Sequence, residues 1–145
     1  MKVERSIEIA APPEAVYDAV MDPKLLADWV TVHEELVHAP DRLLEHGDEL
    51  AQKLKVAGQA FKVEWTVAKA ERPRDVEWEG RGPMGTKARV SYDLEAGGEG
   101  TLFNYVNEYE LPGGPLGKLG AKAFERTAGK EADKTLEKLK GLLER

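Results

Sequence analysis

Three residues on the apolar faces of predicted strands carry side chains capable of chemistry. Arg5 alternates with Val3 and Ile7, so its guanidinium shares their apolar face. Tyr92 and Tyr105 take equivalent positions in two later strands. An inward arginine can pair with a carboxylate or a ligand oxygen, and an inward tyrosine beside a buried charge can assist proton transfer. The alternative for Arg5 is a guanidinium that extends past the strand to water.

Aromatic side chains recur on the same strand faces, which suits either a ligand pocket or a close-packed core. The two alternatives differ in enclosed volume, which the sequence does not give. We predict a cavity whose ligand-binding wall includes Phe61, Trp65, Trp78, Tyr92, Phe103 and Tyr105 in strands, Trp29, Met84, Leu116 and Phe124 near its mouth, and Arg5. No residue is assigned as catalytic.

Two patterns resemble functional motifs but lack the required context. Residues 80–85 fit G-x-G-x-x-G, yet a predicted strand follows them instead of a helix N-terminus that would receive a pyrophosphate. His33 and His38 are five residues apart in a predicted strand, which directs their rings to opposite faces and argues against zinc. With His46, they are predicted to be surface residues. We therefore predict no cofactor and no metal.

Composition indicates an ordinary globular protein and a single domain over residues 1–145. Hydrophobic residues make up 41% of the chain and charged residues 33%. The sequence has no apolar run of roughly 18 residues that would span a membrane, and its start lacks a secretory signal pattern. These features predict a cytoplasmic protein with no integral membrane segment. The absence of cysteine excludes disulfides and cysteine nucleophiles.

Charge is unevenly distributed along the chain. The net charge is -6, which argues against nucleic acid as a main partner. Residues 114–145 nevertheless contain eight basic and five acidic residues. This is consistent with a basic outer helix face that complements an acidic sheet, or with an interfacial membrane helix.

The first part of the chain predicts a strand followed by two short helices. Residues 2–10 alternate between apolar and polar side chains, as a half-buried strand does. Pro13 suits the first turn of one helix, and Asp22 followed by Pro23 is typical of the start of another.

Residues 30–111 predict an antiparallel meander, because strand patterns alternate with turn residues at short intervals. Gly58-Gln59 is predicted to form a two-residue type II′ hairpin loop. The pattern does not assign the inner face of the last strand, because apolar side chains lie on both of its faces. The six predicted strands are 31–39, 48–57, 60–70, 75–79, 87–95 and 101–111.

The C-terminal segment, residues 114–145, predicts one long amphipathic helix. Small and large apolar residues recur every three or four positions and need a partner surface, which a curved sheet supplies. This stripe comprises Leu116, Gly120, Phe124, Ala128, Ala132, Leu136, Leu139 and Leu143.

The predicted order of elements and three local strings resemble the SRPBCC superfamily, also called START-like or Bet v 1-like, and most closely its polyketide cyclase/dehydrase-like branch. The strings are IEIAAPPEAVY at 7–17, DPKLLADW at 22–29 and EYELPGG at 108–114. The resemblance covers essentially the whole chain. It implies an α+β helix-grip fold, in which a curved antiparallel sheet of about seven strands surrounds a long C-terminal helix. It also implies a deep, mostly apolar cavity between them.

Members of that superfamily bind lipids, sterols, polyketides, quinones and aromatic compounds, and they share no single catalytic motif that can be transferred to this chain. Three functional hypotheses follow. The first is a protein that binds or transports a small hydrophobic or aromatic ligand. The second is a cyclase, aromatase or dehydratase-like enzyme. The third is an adaptor that binds another protein, whose identity the sequence does not indicate.

Overall fold

The chain folds into a seven-stranded sheet with a long helix packed against it. The computed structural model describes residues 2–110 and 115–145, with side chains of the last helix described from residue 122 onward. In chain order the elements are β1 (Lys2–Ile9), α1 (Pro13–Val20), a 3-10 turn (Pro23–Leu25), α2 (Leu26–Trp29), β2 (His33–His38), β3 (Glu49–Val56), β4 (Gln59–Glu71), β5 (Asp75–Arg81), a second 3-10 turn (Pro83–Gly85), β6 (Lys87–Gly97), β7 (Gly100–Glu110) and α3 (Pro115–Leu143).

Local sequence explains where the first helices begin. Pro13 lies at the first position of α1, where a missing backbone N–H costs no helical hydrogen bond. The Asp22 side chain accepts a hydrogen bond from the backbone N–H of Lys24 at 3.0 Å, ahead of Pro23. Asp22 therefore caps the 3-10 turn that leads into α2, as its position predicts.

The sheet is antiparallel throughout, in the order β1-β7-β6-β5-β4-β3-β2. The first strand thus lies beside the last one, and α3 contacts both β1 and α2. Strand alternation directs one set of side chains from every strand toward α3 and α2. The predicted helix-grip fold is confirmed.

The buried faces follow the predicted periodicity. In β4, Val63, Trp65 and Val67 are buried, and on α3 the residues Ala128, Ala132, Leu136 and Leu139 are buried. Leu116 and Gly120 of the predicted stripe lie outside the described side chains. The structure also assigns the inner face of β7, which the sequence pattern left open: Thr101, Phe103 and Asn107 are buried.

The β3–β4 hairpin differs from the prediction by one residue. Val56 pairs with Gln59, so the loop is Ala57-Gly58 and not Gly58-Gln59. Both loop residues have positive φ, 52° at Ala57 and 78° at Gly58, which defines a type I′ turn instead of type II′. Gly58 supplies the second left-handed position, and the register set by β3 and β4 places Ala57 at the first.

Candidate functional site

A partly enclosed cavity lies between the inner face of the sheet and the helices α2 and α3. Its volume is about 90 Å³. A buried water needs roughly 10–15 Å³, and an engineered apolar cavity of roughly 150 Å³ holds benzene. The cavity volume therefore lies between these two sizes, and because the cavity is only partly enclosed, a one-ring ligand can extend beyond it. Its wall is formed by Leu26, Trp29, Val30, Val32, Gln52, Leu54, Val56, Phe61, Val63, Trp65, Trp78, Gly82, Thr86, Ala88, Val90, Tyr92, Tyr105, Asn107, Tyr109, Phe124, Ala128, Glu131, Ala132 and Thr135.

The structure brings seven of the eleven predicted ligand-binding residues together on this wall. They include all three tryptophans of the chain. Their rings contact one another edge to face: the centroids of Trp65 and Trp78 are 5.9 Å apart, and those of Trp29 and Tyr92 are 6.0 Å apart. Such contacts fix the orientation of each ring. The seven residues are Trp29, Phe61, Trp65, Trp78, Tyr92, Tyr105 and Phe124.

Aromatic rings also connect sheet and helix at one part of the wall. Tyr109 of β7 meets Phe124 of α3 edge to face, with centroids 5.4 Å apart. Tyr105 stacks on Tyr92 of the neighbouring strand at 5.9 Å. These pairs place the cavity under the described first part of α3, where small residues such as Ala128 leave room.

Three other predicted residues do not line the cavity or are not described. Phe103 is fully buried and packs on Tyr92 at 5.3 Å, so it belongs to the solid core beside the cavity. Met84 is 85% exposed in the second 3-10 turn between β5 and β6, where its φ of 57° is left-handed. It therefore lies away from the wall, to which its neighbours Gly82 and Thr86 contribute. The Leu116 side chain lies outside the described residues.

Arg5 also lies outside the cavity. Its Nε donates to Asp133 Oδ1 at 2.7 Å, and its Nη1 donates to the carbonyl of Glu4 at 2.8 Å. The side chain lies in an open surface groove between β1 and α3 and is 39% exposed. The guanidinium reaches the carboxylate on α3 and water, which is the alternative that the strand position left open.

A buried amide that the sequence analysis did not identify connects the cavity wall to a histidine. Gln52 of β3 is 3% exposed. Trp65 Nε1 donates to Gln52 Oε1 at 2.8 Å, and Gln52 Nε2 lies 2.7 Å from His33 Nδ1. Because an indole N–H can only donate, it fixes the amide orientation, and Gln52 Nε2 then donates to His33 Nδ1.

His33 is therefore not the plain surface residue that was predicted. It is half-buried, whereas His38 and His46 are exposed as expected. Burial lowers the pKa of His33 below its ordinary 6.5. The hydrogen bond from Gln52 requires the neutral ring with its proton on Nε2.

A second buried amide, Asn107 of β7, is incompletely hydrogen-bonded. Its Nδ2 donates to Tyr105 Oη at 2.9 Å, but its Oδ1 is buried with no partner among the described residues. The same holds, within the described part of the chain, for the indole Nε1 atoms of Trp29 and Trp78. Each such group costs about 1–3 kcal/mol relative to a satisfied one. All three residues belong to the cavity wall.

The tyrosines of the wall remain protonated at neutral pH. Burial is the main cause that raises the pKa of Tyr92, Tyr105 and Tyr109 above the ordinary 10.0. Their hydroxyls can therefore donate hydrogen bonds but are poor proton acceptors. Among the described wall residues, Glu131 is the one with a carboxylate, and it lies 3.7 Å from Lys134 Nζ.

Hydroxyl groups attach α3 to the segment after α2 beside the cavity. The Thr31 backbone N–H donates to Thr135 Oγ1 at 3.1 Å, and Thr31 Oγ1 donates to the Glu131 carbonyl at 3.3 Å. Thr135 is 5% exposed. These bonds satisfy the polar groups where the helix crosses the wall.

The two buried amides that the sequence analysis did not identify could have been recognised from their positions in the strands. Asn107 has the same parity in β7 as Tyr105 and Tyr109, and Gln52 has the same parity in β3 as Leu50 and Leu54. A polar residue on an otherwise apolar strand face is informative because it must find a partner when buried.

Two features that the described residues lack bear on other functions. In residues 2–110 and 115–145, no three His, Asp or Glu side chains are grouped in a way that could hold a metal ion. Across the same part of the chain, no helix combines the length and the apolar character needed to cross a membrane.

Comparison with solved structures finds the same fold in proteins of low sequence identity. An aromatase/cyclase, Zhui, from Streptomyces sp. R1128 superposes with a TM-score of 0.81 at 16% identity, covering 100% of this chain and 94% of that chain. A protein from Thermus thermophilus superposes with a TM-score of 0.80 at 20% identity, covering 99% and 97% of the two chains.

Sequence comparison finds relatives in Mycobacterium tuberculosis. An uncharacterised protein is 30% identical over 128 residues, covering 85% of this chain and 87% of the relative. A protein named as a toxin is 24% identical over 136 residues, with the same coverage. A family model described as polyketide cyclase / dehydrase and lipid transport matches residues 1–144. The chain therefore belongs to the polyketide cyclase / dehydrase and lipid transport family.

Proposed function

We propose that the protein binds a small, uncharged, mainly apolar ligand in the cavity between sheet and α3. The observation that carries this proposal is the composition of the wall, in which all three tryptophans line a partly enclosed space. Aromatic and aliphatic walls with a few polar groups are typical of small-molecule sites. Membership of the family supports a hydrophobic ligand.

Electrostatics support an uncharged ligand. The described wall offers no lysine or arginine to pair with an anion. A charged group buried without a partner is strongly unfavourable. Glu131 is the one described wall residue that could pair with a cation, and Lys134 Nζ is already 3.7 Å from its carboxylate. A neutral molecule therefore suits the cavity best.

A cyclase-like activity is the second candidate. Its support is the pair of stacked hydroxyl-bearing rings, Tyr92 and Tyr105, in the wall. A protonated phenol can donate a hydrogen bond to a carbonyl oxygen and favour enolisation. Enolisation also requires a base, and the raised tyrosine pKa values disfavour the tyrosines in that role. Binding without turnover is therefore the function we favour.

Titration with propylbenzene, a neutral ligand of one ring, tests the binding function. Because all three tryptophans line the cavity, their fluorescence reports on its occupancy. We expect a saturable change that fits one site per chain. A chain that shows no saturable binding, by fluorescence or by calorimetry, would contradict the proposal.

Substitution of two alanines of α3 by phenylalanine tests the location of the site, one inside the wall and one outside it as the control. Ala132 is 4% exposed and lies in the wall, whereas Ala123 is exposed on the same helix. Ala132→Phe fills the space and should abolish propylbenzene binding, while Ala123→Phe should leave it intact. Circular dichroism and thermal melting establish that both variants are folded. If folded Ala132→Phe binds as well as the natural chain, the ligand site is elsewhere.

A further inference from the structure

The two buried amides of the cavity wall differ in how completely they are hydrogen-bonded. Gln52 uses both ends of its amide, with Trp65 Nε1 at 2.8 Å and His33 Nδ1 at 2.7 Å. Asn107 uses one end, through Nδ2 to Tyr105 Oη at 2.9 Å. Its Oδ1 is buried and has no partner among the described residues. Both ends of the Gln52 amide therefore have hydrogen-bond partners within the protein, whereas the Asn107 amide retains a free acceptor oxygen.

The position of Asn107 makes this acceptor relevant to a ligand. Asn107 is 9% exposed, belongs to the cavity wall and lies on the inner face of β7 beside Tyr105. It pairs across the sheet with Val90, another wall residue. A buried carbonyl oxygen without a donor is unfavourable, so an occupant that brings a donor gains more from binding than one that does not.

Tyr105 holds one end of the Asn107 amide. Its hydroxyl oxygen accepts the hydrogen bond from Nδ2, which leaves Oδ1 as the free end. The hydroxyl keeps its own proton at neutral pH, since the ordinary tyrosine pKa of 10.0 lies well above that pH and burial raises it further. Because this bond holds the amide, Tyr105 is a positioning residue for Asn107. A phenol can also donate, so an amide turned the other way would present a donor to the cavity, and the comparison of donor and acceptor probes distinguishes the two orientations.

We propose that Asn107 is a specificity-determining contact, and that the cavity selects neutral, mainly apolar ligands that carry a hydroxyl or N–H donor over equally sized ligands without one. This inference rests on the proposed binding function. It narrows the ligand class to hydroxylated or N–H-bearing aromatic and aliphatic molecules, and it assigns the donor contact to Asn107 Oδ1.

The test compares two probes of nearly equal size, 4-propylphenol and 4-propyltoluene, in which a hydroxyl replaces a methyl group. A cavity that recognised only apolar area would prefer 4-propyltoluene, because burial of its methyl gives up no hydrogen bond to water. We expect 4-propylphenol to bind about tenfold more tightly, as one additional satisfied hydrogen bond allows. A third probe, 4-propylanisole, accepts but cannot donate, so it measures what the unpartnered indole N–H groups of Trp29 and Trp78 contribute. It should bind less tightly than 4-propylphenol.

Three variants assign the preference to the proposed residues. Asn107→Leu should abolish the preference for 4-propylphenol while retaining 4-propyltoluene binding. Tyr105→Phe removes the group that holds the amide, and it should lower the preference for the donor probe over the acceptor probe. Asn104→Leu is the matched control, because Asn104 lies in the same strand but hydrogen-bonds Ser6 on the opposite face. It should keep the full preference.

The outcomes separate this inference from the proposed function. If the natural chain binds all three probes equally, or prefers 4-propyltoluene or 4-propylanisole, the cavity binds ligands but Asn107 does not select them. A preference that persists in Asn107→Leu also overturns the assignment. If none of these probes nor propylbenzene binds the natural chain, the proposed function itself fails.

Discussion

Trp65 donates its indole N–H to the buried Oε1 of Gln52 at 2.8 Å, so one hydrogen bond joins the indole of β4 to the amide of β3 in the cavity wall. This contact determines the direction of the next one, from Gln52 to His33. Wall geometry, stability and pH response should therefore be linked through Gln52.

Gln52→Leu tests this link. The substitution leaves Trp65 Nε1 without its acceptor and removes the donor to His33. We expect a loss of about 1–3 kcal/mol in the free energy of unfolding, measured by urea denaturation. Lys55→Leu, at an exposed position of the same strand, should change stability by about 0.5 kcal/mol or less. An equal effect of the two variants would show that the hydrogen bonds of Gln52 contribute little.

The neutral state of His33 predicts a pH dependence of stability. Burial lowers the pKa of His33 in the folded chain below 6.5, so the unfolded chain binds a proton first as pH falls. The contribution of His33 is therefore complete above pH 6.5 and is lost as pH falls from there through the folded pKa. His33→Gln should flatten the slope of unfolding free energy against pH in the range that begins near the ordinary histidine pKa of about 6.5 and extends to lower pH.

The control for this slope is His38→Gln, since His38 is exposed in the same strand. Other ionisable groups contribute equally to the natural chain and to both variants, so the difference isolates His33. If His33→Gln keeps the natural slope in this range, the described tautomer and hydrogen bond do not contribute to stability.

Gly80 in β5 should be essential for the position of Trp65. The two residues are paired across the sheet, and a Cβ built on Gly80 would lie 2.6 Å from Trp65 Cε3 and Cζ3. Gly80→Ala should therefore displace the indole, destabilise the chain by about 1–3 kcal/mol and weaken propylbenzene binding. The measurements are urea denaturation and calorimetric titration.

Gly97→Ala supplies a matched comparison, because a Cβ built there meets nothing within 4 Å. It should leave both stability and binding near their natural values. Normal propylbenzene affinity in Gly80→Ala would mean that the indole can shift without affecting the site.

Arg5 should be dispensable for ligand binding. Its ion pair with Asp133 is exposed, with side-chain exposures of 39% and 60%, and exposed pairs contribute about 1 kcal/mol or less. Arg5→Ala should therefore change stability by no more than that and leave the affinity for propylbenzene unchanged in calorimetry. A strong loss of affinity without unfolding would place the guanidinium at the ligand and overturn its assignment to the surface groove.

The fold was predictable because each element carries a clear local signal. The alternation in β4, the Asp22 cap and the apolar stripe of α3 each reflect a periodicity or a local hydrogen bond. The predicted position of the hairpin loop was wrong by one residue because both Ala57-Gly58 and Gly58-Gln59 place a glycine in the turn. Pairing across the strands, which is not a local property, decides between them.

The site was less predictable because lining a cavity depends on three-dimensional volume. Phe103 and Tyr105 have the same parity in β7, yet Phe103 packs in the core and Tyr105 lines the cavity. Met84 is exposed because the turn at Gly82 and Thr86 directs it away from the wall. The role of Gln52 depends on partners in two other strands, and the role of Asn107 depends on Tyr105, two residues earlier in β7. Composition and periodicity do not specify these partners.

Native mass spectrometry of the purified protein, with solvent extraction of any bound molecule, is the most direct test that the cavity binds an apolar ligand. We expect one uncharged, mainly apolar molecule per chain, retained by Ala123→Phe and absent from folded Ala132→Phe. A charged molecule, or a bound molecule that Ala132→Phe retains, would contradict the assignment of the cavity. A protein that carries nothing and also fails to bind propylbenzene would contradict the binding function.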